Sequence, residues 1–169
     1  MGPSYTHTRV LEPKHGPTIL VRPLRNGDAH TVTAVFERLG EQSRRTRFNG
    51  PKPRLSASEL RQLAAVDPTR HALVAYVDGD PQPVAIARLV REGCVAEIAF
   101  AVADEYQQRG IGSALTAELI ADARAAGVTE ITALVSSDNP AAVALLRRVL
   151  RVPDIRYEGP ELSIRAAIA

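Results

Sequence analysis

Two stretches of the 169-residue chain hold residue types suited to chemistry: Glu97 inside the apolar run "VAEIAFAVA" at 95–103, and Gly110 and Gly112 inside "EYQQRGIGSAL" at 105–115. A carboxylate such as Glu97 can take a proton. An amine nucleophile with a pKa of about 10.4 must lose one before it attacks, which opposes reaction at pH 7 by roughly 4–5 kcal/mol. On an extended strand Glu97 shares its face with Val95, Ala99 and Ala101. Small apolar neighbours disfavour the ionised carboxylate and would move its pKa toward neutrality, the range for general base work, directly or through one water. The competing reading is an exposed strand residue, or an ion-pair partner for Arg88 on a neighbouring strand.

The glycines suggest a different task. A helix starting at Gly110 leaves its first backbone N–H groups without intrahelical partners and places the positive end of its dipole there. The absence of side chains at Gly110 and Gly112 lets an anion approach the backbone, and Gln107, Gln108 and Arg109 add donors, so a pyrophosphate would fit. The same spacing also serves a tight strand-to-helix turn that binds nothing. A P-loop is excluded because Ser113 and Ala114 follow Gly112 in place of Lys and Ser/Thr. A dinucleotide fingerprint fails because Leu115 stands where a third small residue is needed.

Hydrophobic period and turn residues predict the elements that must hold these groups. "PTILVRPL" (17–24) alternates as a strand, and "GDAHTVTAVFERLG" carries Val32, Val35, Phe36 and Leu39 at helical spacing, with Asp28 as cap and Gly40 as its close. A helical turn is expected over 41–48, and Ser56 with Glu59 forms a capping box opening a helix over about 56–66. "HALVAYV" (71–77), "PVAIARLV" (83–90) and 95–103 read as a three-strand meander. A helix from about 110 to 126, the strand "EITALVS" (130–136), a helix near 140–150 and a hairpin over 155–168 complete the chain. Reaching 130–136 from 95–103 through a helix implies one parallel crossover in an otherwise antiparallel sheet. Residues 1–16 carry no period and are expected to be a loose arm before a single domain over 17–169.

Composition narrows the function. Hydrophobic content of 45% and charge of 24% are ordinary for a globular chain. No apolar run approaches the roughly twenty residues of a membrane span and no signal-peptide core is present, so a cytoplasmic protein is expected. One cysteine and four scattered histidines give no metal-ligand pattern. A net charge of +2 argues against nucleic acid as a partner. Locally, Arg44, Arg45, Arg47, Lys52 and Arg54 crowd into "SRRTRFNGPKPR" without an acid, a solvated face or an anion-contacting edge.

The pattern Gln-x-x-Gly-x-Gly, present as "QQRGIG" from Gln107 to Gly112, resembles the acyl-coenzyme A pyrophosphate loop of the GNAT acyltransferases, and the element order resembles theirs over about 17–168. "TILVRPLRNGDA", "FERLGEQSRRTRF", "RHALVAYVDG" and "VAEIAFAVADEYQQRGIG" are similar to the catalytic domain of bacterial Pat-type protein lysine acetyltransferases. The resemblance implies a mixed α/β GNAT fold and an N-acetyltransferase that uses acetyl-CoA without a metal. Its acceptor would be a protein lysine or a small amine, and it would act as a monomer or homodimer. It places the catalytic base at Glu97, which lies roughly 20 Å along the strand from Ala103, a length suited to a pantetheine arm.

By the same resemblance, cofactor contacts fall on the backbone of Phe100, Ala101 and Val102, on the turn Gln107, Gln108, Arg109, Gly110, Ile111, Gly112 and Ser113, and on Asn139, which otherwise reads as a helix cap. An acyl-CoA-sensing module without chemistry is the reading of a different class. The chain departs from the family where Asn139, Ala142 and Leu145 match an Asn-x-x-Ala-x-x-Leu-Tyr pattern but Leu146 replaces the tyrosine acid. Tyr106 and Tyr157 are the substitutes on offer, and Cys94 is read as a small hydrophobe in place of an acyl carrier. Pat-type proteins often carry a nucleotide-sensing domain as well, for which 169 residues leave no room.

Overall fold

The computed structural model describes residues 7–169. Its strands are β1 (Arg9–Leu11), β2 (Ile19–Pro23), β3 (Arg70–Val77), β4 (Ala85–Glu92), β5 (Val95–Val102), β6 (Glu130–Ser136), β7 (Asp154–Glu158) and β8 (Glu161–Ala167). The helices are α1 (Ala29–Glu37), α2 (Glu41–Phe48), α3 (Ala57–Ala64), α4 (Ile111–Ala125) and α5 (Pro140–Val149). All eight strands form one sheet in the order β1-β2-β3-β4-β5-β6-β8-β7. Every neighbouring pair is antiparallel except β5–β6, the parallel crossover expected from the intervening helix.

Local chemistry explains where three of the helices start. Asp28 accepts the backbone N–H of Thr31 and starts α1, Ser56 and Glu59 close a reciprocal capping box at α3, and Asn139 accepts from Ala142 N at α5. Two expectations are corrected. Gly40 does not close α1, which ends at Glu37; it is the N-cap of α2. The stretch read as a loose arm contains a strand, because Arg9–Leu11 pairs with Ile19–Val21 and Arg9 is tied to Glu118 and Asp122 of α4 at 2.6 and 2.7 Å. Three residues are too short for a periodic signal, and their partners lie across the fold. Residues 1–6 of that arm lie outside the described residues.

Strand alternation sorts the core into two layers. Leu73, Ala75, Ala87 and Ile98 join Leu115 and Leu119 of α4 and Leu146 of α5 on one face of the sheet. Ala72 and Val74 meet Val32 of α1 and Ala64 of α3 on the other. Each fully buried leucine or isoleucine contributes about 1.5–3 kcal/mol relative to exposure, so the long helix α4, which buries Ile111, Leu115, Leu119 and Ile120, is anchored along its length.

The feature that creates a site is the point where β5 and β6 part. Their parallel pairing covers Val95, Ala96 and Glu97 against Glu130, Ile131 and Thr132, and no further. β5 stays registered with β4 without a break as far as Val102, and β6 stays with β8 as far as Ser136. The two strands therefore splay, and α2 lies against both beside the opening.

Candidate active site

Splaying frees backbone groups on one edge of β5. Ala103 N–H donates to Val84 O at 2.8 Å, directly beyond the last β4–β5 pair. Antiparallel strands alternate the direction of their hydrogen-bonding groups, so Ala101 and Ala99 bond back to β4, while the N–H and C=O of Phe100 and the N–H of Val102 point away from β4 toward the opening; the Val102 carbonyl on that edge accepts from Gln107. No bulge is needed; parting of the strands does the work. Of the three backbone contacts expected from the sequence, Phe100 and Val102 present groups to the gap and Ala101 lines it with its side chain.

A cavity of about 810 Å³ occupies this gap. Its walls are Ile98 to Val102 of β5, Ala133 to Val135 of β6, Gly110, Gly112, Ser113 and Ala114 at the start of α4, and Asn139, Leu145 and Arg148 around α5. Ser43, Thr46 and Arg47 of α2 and the segment Glu12 to His15 close it from the other sides.

At the glycine turn the structure shows why each glycine stands where it does. Gly110 has φ of +78°, a left-handed conformation that L side chains resist. A Cβ on Gly112 would sit 2.9 Å from Leu145 Cδ1 and 3.2 Å from Val102 Cγ2. Bare backbone at Gly112 thus lets α4 settle against α5 and the end of β5, as well as exposing the first amides of α4. Unlike α1, α3 and α5, α4 receives no side-chain cap, so its dipole end and first N–H groups remain open to an anion at the cavity wall.

The polar residues of the turn divide. Gln107 donates its amide to Val102 O at 3.0 Å, Ser43 Oγ at 3.2 Å and Asp104 Oδ1 at 3.3 Å, a brace between β5 and α2 in place of the free donor expected from the sequence. Gln108 lines the cavity with φ of +60°. Arg109 is exposed, and its guanidinium stands 5.4 Å from the Tyr106 ring centroid, outside the cavity wall. The Ile111 side chain is buried in the core, leaving only its backbone for the site. Ser113 accepts from Arg148 at 3.3 Å, a cation at the cavity that the sequence reading missed because its position depends on how α5 packs on α4. Asn139 is a helix cap and a cavity wall at once.

Glu97 occupies the last β5–β6 rung, where the strands begin to part. It is exposed, so the apolar enclosure expected from its sequence neighbours is not there. Nor does it pair with Arg88, which donates instead to the Leu63 carbonyl. The cation in its field is Arg47 of α2: burial, reinforced by the charge of Arg88, brings the Arg47 guanidinium down to about 10, and Glu97 opposes that shift. Arg47 therefore stays protonated at neutral pH.

Neither substitute for the missing tyrosine is a ready acid: Tyr106 lines the cavity with its hydroxyl already engaged, and Tyr157 lies outside the cavity wall. Tyr106 donates its hydroxyl to Asp80 at 2.8 Å, and that bond raises its pKa above the ordinary 10, which makes it a poorer acid. Tyr157 is 81% exposed on β7. Leu146 is fully buried, and Cys94 is exposed, contrary to its reading as a buried hydrophobe. Among the described residues no cluster of His, Cys, Asp and Glu could hold a metal, and no helix is long and apolar enough to cross a membrane.

Comparison with known proteins matches this geometry. Residues 35–150 fit the family model described as Acetyltransferase (GNAT) family. "Acetyltransferase Pat" of Mycolicibacterium smegmatis is 35% identical over 144 residues, covering 82% of this chain and 43% of that protein. "Acetyltransferase PA5475" of Pseudomonas aeruginosa is 34% identical over 131 residues, covering 75% of this chain and 70% of its own. The crystal structure of the GNAT domain of S. lividans PAT superposes with a TM-score of 0.85 at 26% identity, covering 95% of this chain and 97% of the other. The chain thus spans less than half of the Mycolicibacterium relative but nearly all of the S. lividans domain. A matched segment from α1 to α5 that includes the splayed strands and the glycine turn, with this superposition, places the chain in the acetyltransferase (GNAT) family.

Proposed function

We propose that this protein transfers an acetyl group from acetyl-CoA to an amine, foremost a protein lysine, with Glu97 as the base. The observation that carries the reading is the splay of β5 from β6 just past Glu97, which opens a cavity running from an uncapped helix start along β5 to Ile98, the residue next to Glu97; the Glu97 side chain is exposed and is not part of the cavity wall. The site fits the co-substrate on its own terms. The open amides at Gly110, Ile111, Gly112 and Ser113, together with Arg148, match a diphosphate, and the edge of β5, with the Phe100 N–H and C=O and the Val102 N–H turned away from β4, matches an amide-bearing arm. A GNAT neighbour from Salmonella typhimurium at 18% identity has a structure with acetyl-CoA.

Acetyl-CoA supplies the acyl group as a thioester, whose carbon–sulfur bond is exchanged for a carbon–nitrogen bond. The residues of the chain orient and manage protons. Phe100 N–H, turned into the gap, is placed to donate to a carbonyl oxygen that gains negative charge. Glu97 accepts the proton of the attacking amine, directly or through one water. The sulfur leaves as a thiolate of pKa near 8.5, which needs little help from an acid, in keeping with a core leucine at 146. Exposure of Glu97 favours a bulky acceptor: a lysine on a protein surface reaches it without entering a deep pocket.

The test is Glu97→Gln. Turnover of acetyl-CoA with lysine peptides should fall by roughly 10²-fold or more, while coenzyme A affinity measured by calorimetry stays within about twofold. Unchanged turnover removes Glu97 from the mechanism. A parallel screen of intact proteins, peptides and polyamines identifies the acceptor class; activity confined to small amines would overturn the lysine reading.

A further inference from the structure

Of the five cations crowded at 44–54, four lie away from the cavity. Arg44 stacks on Phe36 at 4.2 Å and donates to Pro53 O at 2.9 Å. Lys52 pairs with Glu59 at 2.5 Å, and Arg45 and Arg54 are exposed. Of the five, only Arg47 lines a cavity. It lines the main cavity and also a recess of about 30 Å³ that it shares with Arg88, Ile86, Leu63 and Ala99.

Arg47 has no hydrogen bond or ion pair among the described residues, only the ring of Phe48 at 4.9 Å. Arg88 gives one nitrogen to the Leu63 carbonyl and is itself lowered by burial and by the charge of Arg70. Two half-buried guanidiniums that line one recess repel each other. Such a pair is stabilised by an anion, and a planar guanidinium fork suits a carboxylate with two parallel hydrogen bonds. Glu97 lies in this field but is exposed and bonded to neither arginine. Arg88 is registered opposite Ala99, two residues beyond Glu97 on β5, about 7 Å along the strand. Ala99 lies four residues from Ala103, about 13 Å from the approach to the glycine turn, so the diphosphate is out of reach of this recess.

We infer that Arg47 and Arg88 form a carboxylate subsite beside the reacting end, which takes an acid group carried next to the acceptor amine or at the far end of the acyl group. The placement rests on the reading of Glu97, which precedes the cavity wall at Ile98, as the base. A lysine approaching Glu97 passes Arg47, so a neighbouring acid on the acceptor offsets repulsion between the two cations and holds the amine at the base. A dicarboxylic acyl group would present its free carboxylate to the same fork.

Calorimetry on the intact chain separates these sources. In one arm, coenzyme A-loaded protein is titrated with lysine peptides flanked by glutamates or by glutamines. In the other, the free protein is titrated with succinyl-CoA or acetyl-CoA. A charge-assisted fork should favour the acidic member of one pair by about tenfold or more. Selectivity in the first arm assigns the acid to the acceptor, and in the second to the acyl group. Arg47→Gln should abolish the preference, and Arg45→Gln, on the exposed face of α2, should keep it. No preference in either arm of the wild-type protein, including no detectable binding, overturns the subsite whatever the turnover. Selective binding without acetyl transfer to any acceptor would sink the catalytic reading and leave the subsite standing.

Discussion

Replacing Gly112 with alanine tests why the glycine turn has its sequence. The added Cβ would lie 2.9 Å from Leu145 Cδ1 and 3.2 Å from Val102 Cγ2, about 0.3–0.6 Å inside ordinary carbon–carbon contact. Leu145 is 8% exposed in the core and Val102 packs against it, so neither side chain swings away freely. Overpacking of this kind costs about 1–3 kcal/mol, and the better helix propensity of alanine returns at most about 1 kcal/mol. The net loss is about 1–2 kcal/mol, a Tm lower by about 2–8 °C for a chain of this size. Relief of the clash tilts the start of α4 away from β5 and turns its open amides. Loss of one charge-assisted hydrogen bond to a phosphate would then weaken coenzyme A by at least about tenfold. Thermal unfolding by circular dichroism and coenzyme A titration measure both. Ala117→Gly, on the exposed side of α4, is the control: it should lower stability by about 1 kcal/mol without weakening coenzyme A. A Gly112→Ala protein as stable as wild type, with affinity within twofold, would refute the packing argument.

Two further outcomes follow from other parts of the fold. Leu119→Ala empties a fully buried position between α4 and the sheet and should cost about 2–5 kcal/mol in denaturant unfolding; a loss under 1 kcal/mol would mean that the layer repacks. Asp80 is held down to about 2, chiefly by the Arg38 guanidinium at 2.7 Å, with Tyr106 as a further donor. A carboxylate lowered on folding adds stability above its ordinary 3.8 that disappears as pH falls toward 2. The Tm gap between wild type and Asp80→Asn should therefore be widest near pH 6–7 and close between about pH 4 and 2; a gap constant to pH 2 would rule out the ion pair as its source.

Much of the scaffold was legible because it rests on local rules. The capping box at Ser56, the Asp28 and Asn139 caps, the period-two runs of β3 to β6 and the helical stripe of α4 are each set by residues within a turn of one another. The glycine spacing, read with its flanking strand and helix, located the start of α4 and, through a resemblance carried by "QQRGIG", the family. What it misjudged were environments. Gln107 braces β5 against Ser43 of α2, Arg109 stacks on Tyr106, and Glu97 is exposed in place of enclosed. Each outcome depends on a neighbour far away in the chain.

Sequence by itself therefore determined the order and type of the elements and the residues able to hold a phosphate or take a proton, since hydrophobic period, caps and glycine conformation act over a few residues. Only the tertiary structure decided where β5 leaves β6, which of its amides face the gap, that Arg47 and Arg148 line the one cavity, and that Arg88 joins Arg47 in the recess beside it. Those facts depend on sheet register and helix packing, and they bring together side chains that no local spacing relates.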